Sequence, residues 1–167
     1  MCVENPTSYT CNLNSLDYFI NYKVPDTEKN VSNLIYHACV PYVLRVFLDN
    51  EELHIGDSLW PTIVRAISSA FVHISIFSPH YAKSHWWLDE LFSMLRSYHE
   101  RKSIPIFCDV EPWKLCYIEN ECYVEAFQKH HKEGRFSNEH LGSWKEALQT
   151  TTYIKVQHFK TKGRCTS

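Results

Sequence analysis

Short runs of apolar and β-branched residues alternate along this chain with stretches in which apolar residues return every three or four positions. Tyr18–Tyr22, Arg45–Asp49, Val72–Phe77 and Ile104–Cys108 are the runs, each short enough to be a strand buried in a sheet. Between them, Val31, Leu34, Ile35 and Ala38 form a helical stripe that stops before Pro41, because the residue before a proline is pushed out of the helical region. Leu59, Ile63, Ala66 and Ile67 form a second stripe behind a candidate N-cap, Ser58, with Pro61 tolerated only in a first helical turn. A third helix starts near Ser84 and turns Leu88, Leu91 and Leu95 inward. Residues 109–118 read as an irregular connection, 121–132 and 140–150 as helices, and Tyr153–Val156 as a last short strand. Pro105 predicts that the fourth strand begins late or sits near an edge, since proline cannot donate to a ladder.

Strand and helix alternating about five times predict an α/β domain: a flavodoxin-like, doubly wound, five-stranded parallel sheet with helices on both faces. In the strand order 2-1-3-4-5, ligands sit beyond the carboxyl ends of strands one and three, where the order reverses. The start of the third helix reaches that crevice. Trp86 and Glu90 are four residues apart there and share a helix face, so an aromatic plate lies beside a carboxylate. The plain alternative is that Asp89 and Glu90 serve the helix macrodipole, which favours acids near an N-terminus.

Composition narrows the chemistry. The 167 residues are 44% hydrophobic and 22% charged, enough for a core without staples. A net charge of -2 with scattered Lys and Arg argues against a nucleic-acid partner. No apolar stretch approaches the roughly 20 residues that span a bilayer, and Met1–Pro6 does not resemble a secretory signal. Seven cysteines at irregular spacing then read as free thiols in a reducing compartment. Cys108, Cys116, Cys122, His130 and His131 match no zinc knuckle, so no metal is expected. Four glycines leave no dinucleotide fingerprint or phosphate loop. Residues 1–15 are expected to be a flexible leader, 16–157 the folded domain and 158–167 a flexible tail.

Several ordered segments resemble the Toll/interleukin receptor (TIR) domains of plant immune receptors and stand-alone TIR proteins. Asp17-Tyr18-Phe19-Ile20-Asn21-Tyr22 with Asp26-Thr27 is similar to the family's first strand and loop. Phe47 through Gly56 is similar to its second strand and BB loop, and Phe77-Ser78-Pro79, Tyr81-Ala82, Ser84 and Trp86-Trp87-Leu88-Asp89-Glu90-Leu91 to its most diagnostic block. Ile104–Phe107, Asp109-Val110-Glu111-Pro112 and Trp144–Leu148 follow in matching order. Ordered blocks at matching separations are far more specific than a short motif.

The resemblance implies an enzyme that cleaves the nicotinamide–ribose bond of NAD+ to make signalling nucleotides in plant immunity, with NAD+ as substrate and no resident cofactor. It implies that Glu90 is the essential glutamate, that Trp86 packs on the substrate and that Ser84 lines the pocket. Lys23 stands where the family usually has Arg, and Trp87 where it usually has Cys. Glu51, Glu52 and His54 fall in the BB loop, which in the family shapes the pocket and touches the next protomer. The implied partners are other TIR domains, in homo- or hetero-oligomers, and the implied compartment is the cytoplasm or nucleus. The alternative kept open is a catalytically silent TIR adaptor or decoy acting through TIR–TIR association.

Overall fold

A computed structural model of the protein describes residues 16–22, 45–48, 60–97, 102–118, 120–154 and 157–159. Five strands form one sheet: β1 (Leu16–Tyr22), β2 (Val46–Leu48), β3 (Ala70–Phe77), β4 (Lys102–Cys108) and β5 (Gln157–Phe159). All pairings are parallel and the order is 2-1-3-4-5, the flavodoxin-like arrangement expected from the sequence.

The helices are α1 (Trp60–Ser69), α2 (His85–Arg96), a short α3 (Pro112–Cys116), α4 (Glu121–Glu133) and α5 (Asn138–Thr152). Every connection after β2 steps in one direction across the sheet. Right-handed crossovers therefore send all their helices to one face. Buried residues of all five helices accordingly join one cluster with Phe19, Phe77 and Phe107 of the sheet. The opposite face carries Ile20, Tyr22, Ile74, Ile76, Ile106 and Cys108. Only the step from β1 to β2 runs the other way. The helix predicted over 31–38, which belongs to that step, lies outside the described residues, as does the predicted cap Ser58.

Several local expectations change. β4 starts at Lys102 rather than late but does sit near an edge, next to the edge strand β5, and Pro105 lies inside it opposite Ser75. β5 pairs only with Ile106–Cys108, so the proline lies just before that stretch and its missing N–H breaks no bond to β5. The last strand is Gln157–Phe159, and Tyr153 and Ile154 of the predicted strand lie outside it, while residues 155–156 are not among the described ones. The reason is that α5 runs to Thr152 and its final carbonyls are closed by the Tyr153 and Ile154 amides, while Tyr153 is 81% exposed. The connection after β4 contains α3, with Pro112 in its first turn and Leu115 as its buried anchor; five residues are too few to show a period. On α2, Met94 rather than Leu95 completes the buried stripe with Leu88 and Leu91, and Leu95 is half-buried.

Helix caps follow local chemistry. Asn120 accepts from the Cys122 amide to start α4, and Ser137 accepts from the His140 amide to start α5. Gly134 ends α4 at φ 64°, a left-handed angle that a Cβ disfavours.

Candidate functional site

The segment from Ser78 to Arg96 leaves the carboxyl end of β3 beside that of β1, at the reversal in strand order. Three side chains fix its path. Tyr81 donates its hydroxyl to the Trp87 carbonyl at 3.1 Å, and Tyr123 of α4 donates to the Ser78 carbonyl at 2.8 Å. His130 of α4 places Nε2 2.8 Å from the Ala82 carbonyl; a carbonyl only accepts, so that nitrogen carries the proton. The buried indole of Trp87 lies 6.3 Å from the Tyr81 ring, so the core accommodates the bulky residue at this position.

Glu90 is fully buried. Its Oε2 accepts from Nδ2 of Asn21 on β1 at 2.9 Å, and the same amide nitrogen donates to the Trp87 carbonyl at 3.3 Å. Asn21 is itself fully buried and stands opposite Ser75 in the β1–β3 ladder. A carboxylate out of water is costly unless held by hydrogen bonds. Burial of that kind is characteristic of functional acids and of ion-pair networks alike.

The neighbouring acid behaves differently. Asp89 Oδ1 accepts from the Trp144 indole at 2.8 Å and lies 2.7 Å from His140 Nε2, so it ties α2 to α5. Neither acid lies in the first turn of α2, which removes the macrodipole explanation for both. Phe136 packs among His85, His130, His140 and Trp144 on the Asp89 side. Within this cluster His85 titrates below the usual histidine range. Burial is the main cause, Asp89 opposes it, and Arg135 and His130 add to it.

The sequence profile of the TIR domain matches residues 16–164. The chain belongs to the TIR domain family. It is 28% identical over 145 residues to "TMV resistance protein N" of Nicotiana glutinosa, covering 84% of this chain and 12% of that protein. It is 38% identical over 99 residues to "Probable 2' cyclic ADP-D-ribose synthase BdTIR" of Brachypodium distachyon, covering 59% of this chain and 43% of that protein. Among solved structures, the TIR domains of the activated Roq1 resistosome superpose with a TM-score of 0.75 at 27% identity, covering 86% of this chain and 87% of that one. This chain thus spans an eighth and under half of the two curated relatives' lengths.

In this TIR domain the fold brings Ser84, Trp86 and Glu90 onto one short segment. Ser84 is buried at the N-cap of α2, and its side chain makes no capping bond. Trp86 is half-buried, with ring centroids 4.9 Å from His85 and 6.0 Å from Trp60 at the start of α1. Lys23, Glu51, Glu52 and His54 lie outside the described residues. Asn21 was not singled out from the sequence; its signal is an amide between the apolar Ile20 and Tyr22 of β1. An open groove of about 630 Å3, lined by Tyr117, Ile118, Phe127 and Leu141 among others, shares no residue with Ser84, Trp86 or Glu90. Among the described residues no group of three His, Cys, Asp or Glu side chains could hold a metal ion. The described cysteines 108, 116 and 122 are free thiols, and burial, then Asp109, pushes Cys108 up to about 11. No helix among the described residues is long and apolar enough to cross a membrane.

Proposed function

We propose that this TIR domain cleaves the nicotinamide–ribose bond of NAD+ and that Glu90 is its catalytic carboxylate. The observation that carries the reading is Glu90 itself: fully buried, at the strand-order reversal, gripped by Asn21 and one helical turn from Trp86. The similarity to a protein named as a cyclic ADP-ribose synthase supports the same chemistry.

The ring nitrogen of nicotinamide is cationic while bonded to ribose C1′, so when that bond breaks nicotinamide departs neutral and no general acid is needed to protonate it. The bond's electron pair stays with nicotinamide, and positive charge develops on the ribose. A carboxylate in a low-dielectric site stabilises that charge as it forms and accepts hydrogen bonds from ribose hydroxyls. Water attacking the sugar gives ADP-ribose and a proton; a hydroxyl of the same nucleotide gives a cyclic product. In this scheme Trp86 packs on the substrate, the Ser84 hydroxyl bonds it and Lys23 supplies charge near the phosphates, without the planar fork of an arginine. Glu51, Glu52 and His54 shape the pocket from the BB loop. NAD+ is a substrate here, with no resident cofactor, and the protein works inside the cell.

Association with other TIR domains belongs to the proposal, because the matched Roq1 domains come from an activated assembly. It also defines the second reading, an adaptor that associates without cleaving. The test is nicotinamide release from NAD+ by purified protein at high concentration or on crowding beads. Wild type should release it, and Glu90→Ala should be slower by a factor of about 100 or more. An assembled wild type that leaves NAD+ intact overturns the enzyme in favour of the adaptor.

A further inference from the structure

The geometry points to Asn21 as the positioning residue of Glu90: its side-chain amide fixes the glutamate carboxylate against β1 in the orientation used for catalysis. This deepens the reading above and rests on it.

Asn21 is the penultimate residue of β1, on the face that carries Phe19 two residues earlier. Alternation alone would put another apolar residue there. Instead an amide nitrogen reaches two acceptors on one turn of α2, the Trp87 carbonyl and Glu90 Oε2. One side chain therefore grips both the helix turn and the carboxylate that projects from it. The orientation follows from the Trp87 carbonyl, which only accepts: a reversed amide would set an oxygen against it, a repulsion in place of a bond.

The other half of the amide shows that this is not simple core packing. Asn21 Oδ1 is buried and has no hydrogen-bond partner among the described residues. A buried acceptor without a protein partner is destabilising, and an apolar residue at position 21 would avoid it altogether. The polar residue is explained by what its nitrogen does to Glu90. Nδ2 only donates, so it favours the ionised carboxylate, the form that stabilises a cation. Among the described residues, three titratable groups on the packed elements have partners of their own. Asp17 of β1 bonds Arg45, His73 of β3 bonds the Ile67 carbonyl and Asp89 of α2 bonds His140 and Trp144. Arg65 of α1 is exposed.

The experiment compares wild type with Asn21→Asp, Asn21→Leu and Asn21→Ser, each checked for folding by circular dichroism. Asp is nearly isosteric, so it keeps the packing while turning the donor into an acceptor. Two readouts are taken. One is NAD+ cleavage, split into kcat and KM. The other is titration of the Glu90 carboxyl by carbon-13 NMR, its signal assigned by loss in Glu90→Gln. Asn21→Asp and Asn21→Leu should raise the Glu90 titration by about one pH unit or more. They should lower kcat by a factor of about 100, with KM changed by less than about threefold. Asn21→Ser keeps a donor and should stay within about tenfold of wild-type kcat. If Leu does not fold, Asn21→Ala carries the same test, because it removes the donor without adding the second carboxylate that by itself raises the Glu90 titration in Asn21→Asp. A folded Asp or Leu variant with the wild-type Glu90 titration, or with wild-type kcat, overturns the inference. A lowered melting temperature and kcat with an unmoved titration also overturns it, since that is a structural effect alone. An inert wild type removes the catalytic half together with the proposed function. The titration then decides separately whether Asn21 governs the Glu90 carboxylate.

Discussion

Asp89 and Glu90 are consecutive acids on one helix, and the structure puts them in opposite settings. About 100° of helical rotation turns one toward α5 and the other toward the sheet. Asp89 is partly exposed, and one of its oxygens meets an indole N–H and an imidazole nitrogen. Glu90 is fully buried and meets a neutral amide. The first arrangement joins two helices. The second keeps an acid out of water at the mouth of a parallel sheet, where its charge has most effect on a bound cation. Adjacent residues of the same charge type can thus carry unrelated roles, and only the partners tell them apart.

The sharpest way to break this contrast is to neutralise each acid in turn. Glu90→Gln should cut NAD+ cleavage by a factor of about 100 or more while the melting temperature stays within about 4 °C, because an amide fills the same volume. Asp89→Ala should do the reverse. Losing its two bonds should lower stability by about 2 kcal/mol in urea unfolding, and the surviving folded protein should keep most of its turnover.

Smaller perturbations on the Asp89 side sharpen the comparison. Gly134→Ala forces a Cβ onto a left-handed angle just before Phe136, and should lower stability by about 1 kcal/mol with no change in KM. His85 gives a pH signature. Its folded pKa lies below the ordinary histidine value of 6.5, so the unfolded chain binds the proton more readily. Stability should therefore fall as pH drops from about 6.5 through the folded pKa and level off below it. His85→Gln should flatten that part of a melting-temperature profile. The effect is the smallest of the four, since His85 is only half-buried and Asp89 opposes the shift.

Much of this was legible in the sequence because it depends on period and on caps. The strands around Phe19, Ile74 and Ile106 and the stripes at Ile63 and Leu88 are repeated local patterns, and these apolar positions are buried. What escaped depends on contacts distant in sequence. Asn21 and Glu90 are 69 residues apart, and no local pattern pairs them. The bonds of His140 and Trp144 to Asp89 span more than 50 residues. Ile118 takes φ 53°, an angle that sequence statistics argue against for a β-branched residue, while its side chain packs on the core. Tyr153 and Ile154 alternate like a strand but close a helix, because α5 supplies the carbonyls that their amides need.

The most direct measurement is nicotinamide release from NAD+ by wild type, Glu90→Gln and Asp89→Asn, at one assembled concentration and with equal folded fractions. The account predicts release by wild type and Asp89→Asn at rates within about tenfold of each other, and about 100-fold less from Glu90→Gln. Equal release from Glu90→Gln and wild type, or loss in Asp89→Asn alone, would contradict it.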